Sequence, residues 1–145
     1  MATTKLHAVP ASPGRPAFAT PAGRRCMLVL AVLAAIAAAT LVGQPNPGVA
    51  ADPELAFVLR GMGLIKLAIA TLAIALVWWR AGEPAQSGRF LAYLACAALL
   101  AAAATLVLKL AVVAATSIVF HATLLAMGLM ALGDDQVAKG ALRRR

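Results

Sequence analysis

Apolar residues dominate one unbroken stretch from Phe90 to Leu132, 43 residues in which Lys109 is the single formally charged side chain. One helix of that length would be about 65 Å long at about 1.5 Å per residue, whereas the hydrocarbon core of a bilayer is about 30 Å thick. The stretch is therefore too long for a single membrane crossing. It predicts two spanning helices, at about 90–108 and 111–132, that reverse direction near Lys109, although 106–115 contains none of the usual turn-forming residues.

Two further spans are predicted upstream. The run Cys26–Gly43 is rich in Ala, Leu and Val and is long enough for a short span at about 26–43. Another helix is expected at about 55–79, because Asp52 followed by Pro53 is a typical start, with Asp52 as N-cap and Pro53 at the first helical position. Trp78 closes this helix with the kind of aromatic residue that favours a membrane interface.

These patterns predict an all-α protein: an integral membrane four-helix bundle of up-down-up-down topology, within one transmembrane domain at 26–135. Residues 1–25 are rich in proline and cannot bury a core, so we expect a disordered basic tail there, and residues 136–145 form a basic C-terminal tail. An alternative stays open for the N-terminus. Arg24 and Arg25, the apolar run and the small residues of 48–50 also fit a cleaved signal peptide, which would leave three spans.

The composition agrees with a membrane protein, since 63% of the residues are apolar and only 12% are charged, against about a quarter charged in soluble domains. The net charge of +8 comes mostly from residues that flank the predicted spans: Lys5, Arg15, Arg24, Arg25, Arg80, Arg89, Lys139, Arg143, Arg144 and Arg145. No aromatic residues interleave with them as in a nucleic-acid site, so we expect contact with anionic lipid head groups and no nucleic acid. The positive-inside rule then puts both termini in the cytoplasm, and the Ala and Arg bias suggests a bacterial inner membrane.

Ionisable side chains within a span are costly and are candidate functional residues by default. Arg60 lies near the start of its helix and can reach the interface by snorkelling. Lys66 lies about 9 Å further along the axis, and no acidic residue falls within any predicted span. Its stem either extends outward to water, or faces a wet pocket, or loses its charge by desolvation.

His121 falls near the middle of the last span. Ser117 precedes it by one turn, and Leu124 and Gly128 continue the same stripe. Small and polar residues pack between membrane helices, so this face is expected to turn toward the bundle. His121 then either makes a helix-to-helix hydrogen bond or shares a pocket with Lys66. The candidate binding residues are therefore Lys66, His121, Ser117 and Arg60.

Little else in the sequence points to chemistry. A b-type haem with two axial histidines would need His7 of the tail, and Cys26 and Cys96 have no spacing typical of a metal site, so no cofactor, metal or catalytic residue is predicted. The sequence favours a non-enzymatic accessory or assembly subunit of a larger membrane complex, or a homo-oligomer. The reason is that the first and third spans carry many small residues, which let membrane helices pack closely: Ala34, Ala35, Ala38, Ala97, Ala98, Ala101 and Ala102. The alternative is a small transporter or ligand-binding membrane protein that uses a Lys66/His121 pocket.

Overall fold

The structure is a computed structural model that describes residues 20–82 and 87–133. This part of the chain forms five helices: α1 (Pro21–Val42), α2 (Pro47–Ala50), α3 (Pro53–Arg80), α4 (Ser87–Leu108) and α5 (Val113–Leu132). The four long helices are each apolar and long enough to cross a membrane. The prediction of an all-helical unit with four spans is confirmed, and the chain is a multi-pass membrane protein.

Helix α1 begins five residues before the predicted start at Cys26. The Thr20 hydroxyl accepts a hydrogen bond from the Gly23 amide at 3.1 Å, and Pro21 occupies the first helical position. This cap and the fixed φ of proline favour a helix start here. The expected disordered tail at 1–25 is therefore wrong for 20–25, and the rest of that tail, like the predicted tail at 136–145, lies outside the described residues.

Helix α3 begins as the sequence predicts. An Asp52 carboxylate oxygen accepts hydrogen bonds from the amides of Glu54 and Leu55, both at 3.1 Å, and Pro53 is the first helical residue. The connection before it contains the short helix α2, which the sequence did not predict and which is capped by the Asn46 side chain. Side-chain caps therefore fix both helix starts in this connection.

The reversal between α4 and α5 occupies residues 109–112. Leu110 and Val112 have φ values of +59° and +42°, the left-handed region that side chains with a Cβ rarely adopt. The Leu106 carbonyl accepts from the Ala111 amide at 3.0 Å and closes the end of α4. The predicted start of the last span at 111 is corrected to 113, because two left-handed residues are used to turn the chain.

Helix α4 is the central helix of the bundle, and α1, α3 and α5 each pack extensively against it. Four of its alanines are fully or almost fully buried: Ala97, Ala101, Ala103 and Ala104. Such small side chains let neighbouring helices approach closely. On α3, Gly63 serves the same purpose, since a Cβ there would lie 2.9 Å from Leu108 Cδ2. The small residues of α4 therefore hold the bundle itself together.

Candidate functional site

Lys66 is the buried cation of the candidate site. Its side chain is 6% exposed, and its Nζ donates a hydrogen bond to Ser117 Oγ at 2.6 Å. The same ammonium lies 5.7 Å from the centre of the Phe120 ring, within the range of a cation–π interaction. Lys66 therefore does not extend outward to water. It crosses the boundary between α3 and α5, and we call Lys66, Ser117 and Phe120 the Lys66 seam.

His121 lies on the outer side of α5 and is exposed. Its Nδ1 is 2.7 Å from the Ser117 carbonyl oxygen. Because a carbonyl can only accept, Nδ1 carries the hydrogen of this bond. In the neutral imidazole, Nε2 then carries no hydrogen and can only accept a hydrogen bond, and the ring is exposed.

The expectation that the His121 face turns toward the bundle is wrong. The buried positions of α5 are Thr116, Phe120, Thr123 and Met127, so the helix is rotated by about one residue from the predicted orientation. This rotation buries the Phe120 ring beneath Lys66. The bulky aromatic residue fills the interior, and the imidazole is left at the surface.

The structure brings three of the four candidate residues into one hydrogen-bonded chain. Ser117 accepts from Lys66 with its side chain and from His121 with its carbonyl oxygen. Lys66 and His121 do not meet in a common pocket, since each contacts a different group of Ser117. Arg60 is exposed near the start of α3 and does not belong to this chain. A binding role for these residues remains a prediction.

An apolar groove runs along the boundary of α3 and α5 on the far side of the seam from the Lys109 turn. Its volume is about 390 Å³ and it is open along one side, with a lining of Ile69, Leu72, Ala73, Leu76, Leu124, Met127, Gly128 and Ala131. We call it the α3–α5 groove. It begins about one helical turn beyond Lys66 on α3 and one turn beyond His121 on α5. The polar seam therefore lies at one end of the apolar groove.

Lys109 joins the two connections at its end of the bundle. Its Nζ donates to the Thr40 carbonyl in the last turn of α1, where helix carbonyls lack intrahelical partners. The Asn46 amide donates to the Leu110 carbonyl at 3.1 Å. The sequence places Lys109 at the turn but does not predict its contact with Thr40. The available signal is that a basic residue is favoured at the C-terminus of a helix.

At the opposite end, arginine side chains lie over aromatic rings. Three such pairs occur among the described residues: Arg24 with Phe90, Arg25 with Trp78, and Arg80 with Tyr93. The distances from guanidinium carbon to ring centre are 5.3 to 5.7 Å. The sequence indicates an interface at Trp78 and shows that the three arginines flank the spans, but it does not predict their pairing with aromatic rings. The contacts connect the ends of α1, α3 and α4 in one layer, which we call the arginine–aromatic layer.

The described residues offer no candidate metal centre. Within 20–82 and 87–133, no group of three or more His, Cys, Asp or Glu side chains is placed to hold a metal ion. Comparison with protein-family models, with curated proteins and with solved structures finds no match for this chain. The function is therefore inferred from the geometry of the Lys66 seam and its surroundings.

Proposed function

We propose that this protein is a non-enzymatic accessory or assembly subunit that packs against a larger complex in the bacterial inner membrane. The observation that carries the proposal is the exposed imidazole of His121. It lies eight residues into α5, about 12 Å from the first residue of that helix, and therefore near the middle of the span. A polar atom without a partner at this depth costs free energy, because lipid chains cannot donate hydrogen bonds.

The surface around His121 is otherwise apolar. Ile118 and Leu125, one turn before and one turn after it, are 71% and 65% exposed. Gly128 is open, with nothing within 4 Å of the position that a Cβ would take. An apolar helix face that contains one small residue and one hydrogen-bonding side chain suits a neighbouring membrane helix with a hydrogen-bond donor.

The charge distribution supports the proposed orientation. The arginine–aromatic layer gathers three arginines at one end of the helices. Clustered basic residues favour the cytoplasmic side and contact with anionic lipid head groups. In the proposed orientation both chain termini and the connection between α3 and α4 are cytoplasmic, and the Lys109 turn faces outward.

Site-specific photo-cross-linking in the native membrane tests the accessory role. A photoreactive benzophenone amino acid at Ile118 is expected to form a protein adduct, because this residue lies beside His121. The same amino acid at Leu30, an exposed position of α1, serves as the control and is expected to give lipid adducts. His121→Phe should reduce the protein adduct, whereas Leu33→Phe, at an exposed position of α1, should not. Lipid adducts alone at Ile118 would contradict the proposal.

A second candidate function is a small transporter or ligand-binding membrane protein. The α3–α5 groove with Lys66 at one end favours it, because an apolar cleft with a few polar groups is typical of a ligand site. Binding or flux would then be lost in Lys66→Ala and in His121→Ala while the fold remains intact. Unchanged flux in both variants would exclude this site.

A further inference from the structure

Within residues 20–82 and 87–133, Lys66 forms no ion pair with an acidic side chain. The acidic residues are Asp52, Glu54, Glu83, Asp134 and Asp135, and none of them lies within α1, α3, α4 or α5 except Glu54 in the first turn of α3. Glu54 is twelve residues from Lys66, about 18 Å along the helix axis. A second copy of the chain in the same orientation has its acids at the same levels. The long helices of this chain, or of a second copy in the same orientation, therefore supply no carboxylate at the depth of Lys66.

The Lys66 ammonium also has more N–H donors than the described residues provide hydrogen-bond acceptors. A lysine has three N–H donors, and the described residues give Nζ one hydrogen-bond acceptor, Ser117 Oγ, together with the Phe120 ring. Both partners are uncharged. A buried charge without an opposite charge is strongly destabilising, whereas a pair with good hydrogen bonds offsets much of that cost. Ser117 is half-buried, so the hydrogen bond lies near the opening of the seam.

From these contacts we propose that a membrane-spanning helix of a partner protein places a carboxylate on Lys66 and packs along the α3–α5 groove. This inference rests on the proposed accessory function and names the chemistry of the partner. The carboxylate oxygens accept from Nζ beside Ser117. Further along the α3–α5 groove, toward the arginine–aromatic layer, the open surface at Gly128 lets the backbone of the partner helix come close.

The length of the α3–α5 groove favours a helix over a lipid as the source of the carboxylate. Lys66 precedes Trp78 by twelve residues, about 18 Å along α3. Trp78 belongs to the arginine–aromatic layer, which has the composition of a membrane interface. The groove extends from the Lys66 seam toward that interface, and a membrane-spanning helix can pack along this length because its backbone groups are satisfied internally, whereas a lipid keeps its charged head group at an interface.

Synthetic helices in lipid vesicles test the pairing directly. The purified full chain carries a fluorescence donor, and the probes are Leu–Ala peptides of about 21 residues, long enough to span the bilayer, with an acceptor dye. Three peptides differ only in the central residue, which is Asp, Asn or Leu. We expect energy transfer to show that the Asp peptide associates about tenfold more tightly than the Asn peptide, the effect of about 1.4 kcal/mol. Equal association of the Asp and Asn peptides with the wild-type chain would overturn the proposal, and this comparison requires no variant to fold.

Variants assign the preference to Lys66. Lys66→Gln should abolish the preference for Asp, whereas Arg60→Gln removes the same charge from an exposed position of α3 and should leave it intact. A preference that persists in folded Lys66→Gln contradicts the proposal. If oleate added to the vesicles abolishes the preference in the wild-type chain, a lipid carboxylate occupies the site and the proposal is wrong. Protein adducts at Ile118 together with no Asp preference would leave the accessory role standing and refute only the pairing with Lys66.

Discussion

Replacement of Ser117 by alanine tests whether the Lys66 seam stabilises the bundle. The change removes the acceptor that lies 2.6 Å from Lys66 Nζ and leaves a side chain that is 6% exposed without its described hydrogen bond. A hydrogen bond to a charged group contributes about 1.5–3 kcal/mol to stability. The better helix propensity of alanine offsets about 0.5 kcal/mol of this loss. We expect Ser117→Ala to lower the free energy of unfolding by about 1–2 kcal/mol, the range of interhelical hydrogen bonds in membranes.

Unfolding in mixed micelles with increasing dodecyl sulfate, followed by tryptophan fluorescence, measures this difference. Thr71→Ala is the matched control, because the Thr71 hydroxyl donates to the Leu67 carbonyl of its own helix and the residue is exposed. It should change the free energy of unfolding by less than about 0.5 kcal/mol. Equal effects of Ser117→Ala and Thr71→Ala would refute the reasoning.

A double-mutant cycle separates the pair from its surroundings. Lys66→Met removes the ammonium and its desolvation cost while it keeps an unbranched side chain of similar length. Since Ser117 then has no donor to meet, Ser117→Ala in the Lys66→Met background should cost less than about 0.5 kcal/mol. A cost as large as in the wild-type background would show that Ser117 stabilises the protein through contacts other than Lys66.

Two further predictions concern backbone positions. Gly63→Ala should lower the free energy of unfolding by about 1–3 kcal/mol, because the added Cβ would lie 2.9 Å from the Leu108 side chain and 3.3 Å from its amide nitrogen. Gly61→Ala, at an open position of the same helix, should raise it by up to about 1 kcal/mol, and the same micelle titration compares the two. Val112→Gly should stabilise the fold by about 0.5–1 kcal/mol through relief of the left-handed conformation, whereas Ala122→Gly, at an exposed position inside α5, should destabilise it by about 1 kcal/mol. Destabilisation by both glycine substitutions would contradict the strain at 112.

The number of spans could be predicted because it follows from length alone. The stretch Phe90–Leu132 cannot fit a bilayer as one helix, and the helices at 87–108 and 113–132 have the predicted type and order. The start of α3 could also be predicted, since an Asp-Pro pair is a local signal that needs no tertiary context. Helix starts that depend on less distinctive residues, such as Thr20, were missed.

The rotation of α5 could not be predicted from its sequence pattern. A span that is apolar on every side carries no clear signal for which side faces its neighbours, and the prediction that the polar residue His121 marks the inner face is wrong. The conformation of the turn at 109–112 could not be predicted for a different reason. Leu110 and Val112 adopt left-handed conformations that are typical of glycine and asparagine, so their identity gives no turn signal.

The candidate site could be predicted in part. Lys66 and Ser117 were both selected from the sequence, because they are polar residues at similar depths in two different spans. Their direct contact joins the side chains of α3 and α5, two helices that both pack against α4 but have little backbone contact with each other. That arrangement depends on the fit of many small side chains on α4, and the sequence does not express it in any single motif.

The central claim is that the chain crosses the membrane four times, with a reversal at 109–112. Single cysteines at Gly48, Gly82, Val112 and Arg145, in a chain whose Cys26 and Cys96 are replaced by alanine, test it through labelling of intact cells with a membrane-impermeant maleimide. The account predicts labelling of positions 48 and 112 in intact cells, and of 82 and 145 only after permeabilisation. Labelling of position 145 from outside, with 82 accessible only from inside and 112 protected, would contradict it.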